Sequence, residues 1–176
     1  MEQQRKMPSA KRQQLIIQKL KESARPISGK DFAKLTNVSR QVIVQDVSIL
    51  KAKNEPIIAT SQGYIYLSEH LNNQKQQIIA CKHDAGQTKE ELYLIVDHGV
   101  TIRDVIVEHP VYGEITASIR VGSRKEADTF ITKIQTTDAS YLSALTNGIH
   151  LHTLESDSLL KIEAACRDLR KAGILV

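Results

Sequence analysis

The stretch Ser28–Lys53, "SGKDFAKLTNVSRQVIVQDVSILKAK", reads as two helices joined by a tight turn. Ser28 caps the first helix, and Asp31 three positions on completes a capping-box pattern. Asn37, in "TNV", is the residue there best able to take the left-handed conformation that a short helix–helix turn needs. Ser39 then caps a longer helix, "RQVIVQDVSILKAK". Ala33 is small enough for close packing at the crossing, and Val38, Ile43, Val47 and Leu50 recur about one turn apart, facing a core. This is the spacing of a helix-turn-helix.

The opposite face of the second helix shows Arg40, Gln41, Val44, Gln45 and Ser48, with Ser39 at its head. Arg and Gln on the first turns suit base edges in the major groove of DNA. Lys51 and Lys53 at the helix end suit phosphates and also the helix dipole. Upstream, Leu15, Ile16, Leu20 and Ala24 share one face of a helix spanning Lys11 to Ala24, which "RPIS" ends. Downstream of Pro56, "IIAT-SQG-YIYL" reads as two short strands around a Gly63 turn. That is a wing, whose Ser61 and Gln62 are placed to touch the DNA backbone or minor groove. The competing reading is a three-helix packing module with a basic, solvated face.

Charge distribution favours the DNA reading. Residues 1–67 hold 12 Lys and Arg against 5 Asp and Glu, a net of +7, whereas residues 68–176 hold 12 against 15, a net of −3. A basic module implies a polyanionic partner. This half looks like the winged helix-turn-helix domains of bacterial ligand-responsive repressors. The organisation expected is a winged helix-turn-helix domain over 1–69, a polar connector around Ser68–Gln77, and a second domain over 77–176. Two cysteines far apart, Cys81 and Cys166, make no disulfide framework. The N-terminus lacks the apolar core of a signal peptide, and no apolar run of about 18 residues exists to span a membrane. A cytoplasmic protein is expected.

The second module alternates strands and helices. A strand "IIACKH" leads to a helix from Thr88 to about Gly99, then strands "RDVIVEH" and "GEITASIRV", with a hairpin through "PVYG". A helix from about Arg124 to Ile134 and a loop with a helical turn lead to the strand "GIHLHTL". A helix from about Asp157 to Lys171 and a short strand "ILV" finish the chain. The order β-α-β-β-α-β indicates an α+β fold, a two-layer sandwich of ferredoxin-like or split βαβ type. In that reading the third strand separates the first from the fourth.

All six histidines fall in this module or just before it. His150 and His152 alternate along one strand, so both rings leave the same face about 7 Å apart. His83 ends the first strand and Glu91 comes early in the next helix. Convergence of these four would suit one Zn²⁺, Ni²⁺ or Fe²⁺ ion rather than Ca²⁺ or Mg²⁺. Each has a competing role. Glu91 stands three residues after Thr88, where it would close a capping box, and Glu90 is a neighbouring carboxylate. Cys81 shares the strand face of His83 as a ligand or a buried inert thiol. His109, before Pro110, serves as ligand, pocket donor or strand end, and His70 and His98 read as exposed linker and helix-end residues.

"HDAGQTKEEL", "VIVEHPVYGEI" and "GIHLHTL", in this order behind a winged helix-turn-helix, resemble the 3H domain. From about Lys11 to the C-terminus the chain is similar to the NiaR family of niacin-responsive transcription repressors. The resemblance implies a divalent metal at His83, Glu91, His150 and His152 and an effector pocket near His109 and Tyr112. It further implies nicotinic acid as co-repressor, a homodimer, operator DNA as partner, and control of genes for niacin uptake and NAD synthesis. The rival functions are a metal-sensing repressor and a metal-dependent hydrolase. The hydrolase would need a general base beyond the ligands.

Overall fold

Ser28 and Ser39 start their helices as their positions require. The computed structural model describes residues 6–67 and 74–176, and the chain divides into two units, Met1–Leu71 and Asn72–Val176. In the first, α1 (Ser9–Glu22), α2 (Gly29–Thr36) and α3 (Arg40–Ala52) precede the hairpin of β1 (Ile57–Thr60) and β2 (Gly63–Tyr66). The Ser28 hydroxyl oxygen accepts from the Asp31 N–H and donates to the Asp31 carboxylate at 2.6 Å. Ser39 accepts from the Val42 N–H. Asn37 turns the chain in the left-handed region, at φ 51° and ψ 48°. The core is built from Ile16, Leu20, Phe32, Ile43, Val47, Leu50 and Ile57. Gly63 lies at φ +142°, and a Cβ there would fall 2.5 Å from the Ile27 carbonyl oxygen, so only glycine lets the wing close against Ile27.

Two features of this unit depart from the sequence reading. First, α1 ends at Glu22 rather than Ala24, well clear of Pro26. Second, Leu15 is only half-buried, and the buried positions of α1 are Arg12, Ile16 and Leu20. The Arg12 guanidinium pairs with the buried Asp46 carboxylate of α3 and donates to the Met7 carbonyl oxygen. Ser9 and Gln13 add hydrogen bonds to Asp46 at 3.2 and 3.1 Å. This network fixes α1 across α3.

In the second unit a four-stranded antiparallel sheet carries three helices on one face. Its strands are β3 (Lys75–Lys82), β4 (Thr101–His109), β5 (Gly113–Val121) and β6 (Ile149–Ser156), in the order β3-β6-β4-β5. α4 (Thr88–Val96) packs on β4 and contacts both α5 (Arg124–Thr136), which lies on β5, and α6 (Leu159–Lys171), which lies on β6 and β3. Ile79, Leu92, Ile95, Ile102, Ile119, Leu154, Ile162 and Leu169 are among the residues that fill the layer between.

The two-layer α+β architecture and its element order match the sequence reading, but one strand placement does not. The first and fourth strands of the module are direct neighbours, paired from Lys75↔Ser156 to Lys82↔Ile149. The burial pattern explains it. β6 is buried continuously from His152 to Ser156, which demands a central position, whereas β3 is exposed over its first four residues and suits an edge. β3 also begins at Lys75, so three residues read as connector belong to the sheet, while residues 68–73 of that connector lie outside the described residues. The terminal "ILV" pairs along the other side of β3 through Cys81↔Leu175. Among the described residues no helix is long and apolar enough to cross a membrane.

The Arg12–Asp46 network yields a test. Asp46→Ala leaves a buried guanidinium without its counter-charge, which should cost about 3–5 kcal/mol. Hydrogen exchange of the α3 amides in the full chain measures this, and unchanged protection would contradict the role given to the pair.

Candidate functional site

On α3, Arg40, Gln41, Val44, Gln45 and Ser48 are all exposed on the face turned away from Ile43, Val47 and Leu50. Ser39 caps that helix at its exposed N-terminus, and Lys51 and Lys53 are exposed at its end, where Lys53 Nζ also donates to Gln13. Ser61 and Gln62 form the tip of the β1–β2 hairpin, and Gln62 N–H donates to Thr60 Oγ1. The helix face and the wing tip thus offer solvent the groups that read or grip a nucleic acid.

In the second unit four side chains converge. Glu91, on the inward face of α4, is 1% exposed. His83 Nε2 lies 2.8 Å from its Oε2, and His150 Nε2 and His152 Nε2 lie 3.1 and 3.4 Å from its Oε1. The rings stand nearly perpendicular in sequence, His83 to His150 at 86° and His150 to His152 at 81°, with centroids 4.9 and 4.8 Å apart. Adjacent placement of β3 and β6 brings this about, because it sets His83 beside the start of the strand carrying the other two. Glu91 does not cap its helix: Gln87 holds the N-cap position, without a side-chain hydrogen bond.

Each imidazole is oriented from behind by a backbone carbonyl. Nδ1 of His83 donates to Asp84 O at 2.7 Å, Nδ1 of His150 to Gly148 O at 2.9 Å, and Nδ1 of His152 to Asp104 O at 2.7 Å. A carbonyl only accepts, so the proton of each neutral ring sits on Nδ1 and Nε2 carries a bare lone pair. The Asp104 carbonyl is available because of a bulge. The β4 register shifts between Ile102 and Asp104, and the Asp104 carboxylate takes the Thr153 N–H at 3.0 Å in place of a ladder partner. Gly148 is equally specific. At φ +88° it brings its backbone so near His83 that a Cβ would fall 2.2 Å from the His83 carbonyl oxygen.

The electrostatics favour a positive charge among these groups. Burial opposes charge on Glu91, yet the charge of His152 and the contacts of all three rings hold its carboxyl well below the usual carboxylate range. Burial likewise opposes charging His83 and His152, but Glu91 outweighs it and raises both above the ordinary imidazole value. Even so, His83 Nε2 and His152 Nε2 make no directed hydrogen bond. Protonating all three rings would bury two uncompensated positive charges, a costly arrangement. One divalent cation held by the Nε2 lone pairs and the carboxylate would satisfy these groups together. The residues present therefore fit a Zn²⁺-, Ni²⁺- or Fe²⁺-type ion.

A small cavity of about 30 Å³ opens beside these donors, lined among others by Thr88, Phe130, Tyr141 and Leu142. It is the size of a water or an ion. A cleft of about 620 Å³ adjoins it, sharing His83, Tyr141 and Ser143 and adding Lys82, Asp84 and Gly148. His109 and Tyr112 line neither space. They stack at 4.9 Å in the β4–β5 turn, where His109 Nδ1 accepts from the N–H groups of Val111 and Tyr112. Glu90 is exposed, His98 pairs with Asp168 at 2.9 Å, and His70 lies outside the described residues. Cys81 is fully buried beside Glu91. Sequence reasoning missed Asp104, Gly148 and Tyr141. An Asp inside a strand, where Asp is disfavoured, was the one signal available for the bulge.

Gly148→Ala should therefore strain the site itself. A positive φ and a backbone clash together cost about 1–3 kcal/mol, lowering the thermal midpoint of the second unit by circular dichroism. An unshifted midpoint would show that the close approach to His83 is not required.

Comparison with known proteins agrees with both halves. Residues 76–176 match the 3H domain and residues 12–65 match an HTH domain. The chain is 55% identical to the transcription repressor NadR of Bacillus subtilis (strain 168) over 173 residues, 97% of this chain and 96% of that one. It is 39% identical to a probable transcription repressor NiaR of Thermotoga maritima over 161 residues, 92% and 91% of the two chains. With a helix-turn-helix that presents its second helix to solvent and a 3H domain behind it, the chain belongs to the NadR/NiaR family of transcription repressors, DNA-binding regulators rather than enzymes.

Proposed function

We propose that this repressor controls genes of niacin uptake and NAD synthesis in the cytoplasm, with nicotinic acid as co-repressor and one divalent transition ion in the 3H domain. The observation that carries the metal reading is the common orientation of the three rings. Every Nδ1 is committed to a carbonyl, and every Nε2 faces Glu91. His83, Glu91, His150 and His152 would hold the ion, which when bound supplies a fixed positive charge with room for one further donor.

The effector reading draws on the likeness to niacin-responsive repressors and on the adjoining cleft. A volume of about 620 Å³ is in the range of small-molecule sites. Tyr141 offers a ring on which a pyridine can lie, and burial keeps its phenol protonated. Lys82, at the exposed rim, provides a cation for a carboxylate. His83 lines both spaces, so a ligand in the cleft would lie beside one of the proposed metal donors.

On the DNA side, Arg40, Gln41, Val44 and Gln45 read base edges, while Ser39, Lys51, Lys53, Ser61 and Gln62 grip the backbone. One such helix reads few base pairs, so a homodimer acts on an inverted repeat, with half-sites about one duplex turn or a multiple of it apart. Nicotinic acid tightens operator binding by as much as it prefers the binding-competent state, and DNA tightens nicotinic acid binding by the same factor. A second reading, with the ion itself as effector, draws on the ion-sized cavity beside the donors.

Gel-shift titration of the metal-loaded protein separates these readings. Nicotinic acid should strengthen operator binding, and nicotinamide should do so about tenfold to hundredfold less effectively, because it lacks the charge-assisted contact. His150→Ala should remove the response and leave weak basal binding. A full response to metal alone would favour metal sensing, and equal responses to the two pyridines would overturn the carboxylate argument. Arg40→Ala should cost about 1–3 kcal/mol and relax base preference, whereas Lys51→Ala should weaken all sequences alike and flatten the salt dependence. Unchanged preference in Arg40→Ala would displace the reading face from α3.

A further inference from the structure

We propose that the Cys81 thiol is an additional donor of the metal centre, entering as a thiolate beside Glu91 and His150; this rests on the reading of His83, Glu91, His150 and His152 as a metal site. Cys81 is the inward residue of β3 two positions before His83, directly opposite His150 in the β3–β6 register. It is fully buried. Its Sγ, a Glu91 carboxylate oxygen and a His150 ring nitrogen all lie within 4.8 Å of one another. Donors bound to one ion at about 2.0–2.3 Å stand about 2.8–3.8 Å apart in four- or five-coordinate geometry. Closing all three on a shared ion thus takes movements of at most about 2 Å.

The cysteine does not stand alone. His83 Nε2 and His152 Nε2, in rings more than nine-tenths buried, make no hydrogen bond and aim at the same carboxylate. They bring further nitrogen donors to the carboxylate that the sulfur adjoins. Charge balance then gives the thiol a reason to be there. Three neutral imidazoles and one carboxylate leave a buried divalent ion with an excess of one positive charge, in a layer otherwise filled by Ile79, Leu92, Ile95 and Leu154. A thiolate cancels that excess and lowers the cost of burying the ion. The proton it sheds leaves to solvent as the sulfur–metal bond forms. A soft donor also biases the site toward thiophilic ions such as Zn²⁺, Co²⁺ and Cd²⁺ over harder ones.

Cobalt substitution of the full-length protein reads this directly. The wild type loaded with Co²⁺ should show an intense thiolate-to-cobalt charge-transfer band in the near ultraviolet beside the weaker visible bands of the bound ion. Cys81→Ser should lose the near-ultraviolet band, keep the visible ones, and bind Cd²⁺ at least about tenfold more weakly. The wild-type spectrum needs no variant to fold. Visible bands with no charge-transfer band would overturn the proposal and leave the four-residue site standing. No cobalt bands of either kind would overturn the four-residue site and this proposal with it.

Discussion

A carboxylate that is 1% exposed needs partners, and the second unit is arranged around supplying them to Glu91. Three imidazoles reach it, two from β6 and one from the residue just past β3, and each is turned by a carbonyl behind it. The geometry of those carbonyls explains features that packing alone does not. β4 carries a bulge at Asp104, and Gly148 takes a conformation that other residues resist. Each feature spends regularity of the sheet to aim one nitrogen. The result is a set of lone pairs around a negative charge, a donor set whose chemistry suits a divalent cation.

The first unit has its own buried charge, used differently. Asp46 on α3 is matched by Arg12 on α1, a complete pair with additional hydrogen bonds from Ser9 and Gln13. It closes on itself and invites no ligand. Its role is to hold α3 at a fixed angle within its own unit, so that Arg40, Gln41 and Gln45 are presented together. The contrast is instructive: one buried carboxylate has a guanidinium built in, and the other is surrounded by groups that are neutral unless protonated. The first is structural, and the second is the donor set on which the proposed metal site rests.

Much of this was legible in the sequence, and for identifiable reasons. Ser28, Asn37, Ser39 and Gly63 act through local rules, so the helix-turn-helix and wing could be read from them. The period-two placement of His150 and His152 put them on one face, and His83 and Glu91 followed from chain order and from the family likeness. What could not be read was non-local. Which strands are neighbours depends on the burial of β6 along its whole length, a pattern masked by its polar residues Thr153, Glu155 and Ser156. The Arg12–Asp46 pair placed a charge where the helical pattern suggested Leu15. His109 and Tyr112, expected near an effector pocket, sit in the β4–β5 turn with each other as ring partners.

Long-range proton–nitrogen NMR of the imidazoles tests the central claim most directly, because it reports which ring nitrogen holds the proton and which binds metal. With Zn²⁺ added at neutral pH, His83, His150 and His152 should each show a protonated Nδ1 and a metal-bonded Nε2. Any of the three retaining a proton on Nε2 in the zinc-saturated protein would contradict the account.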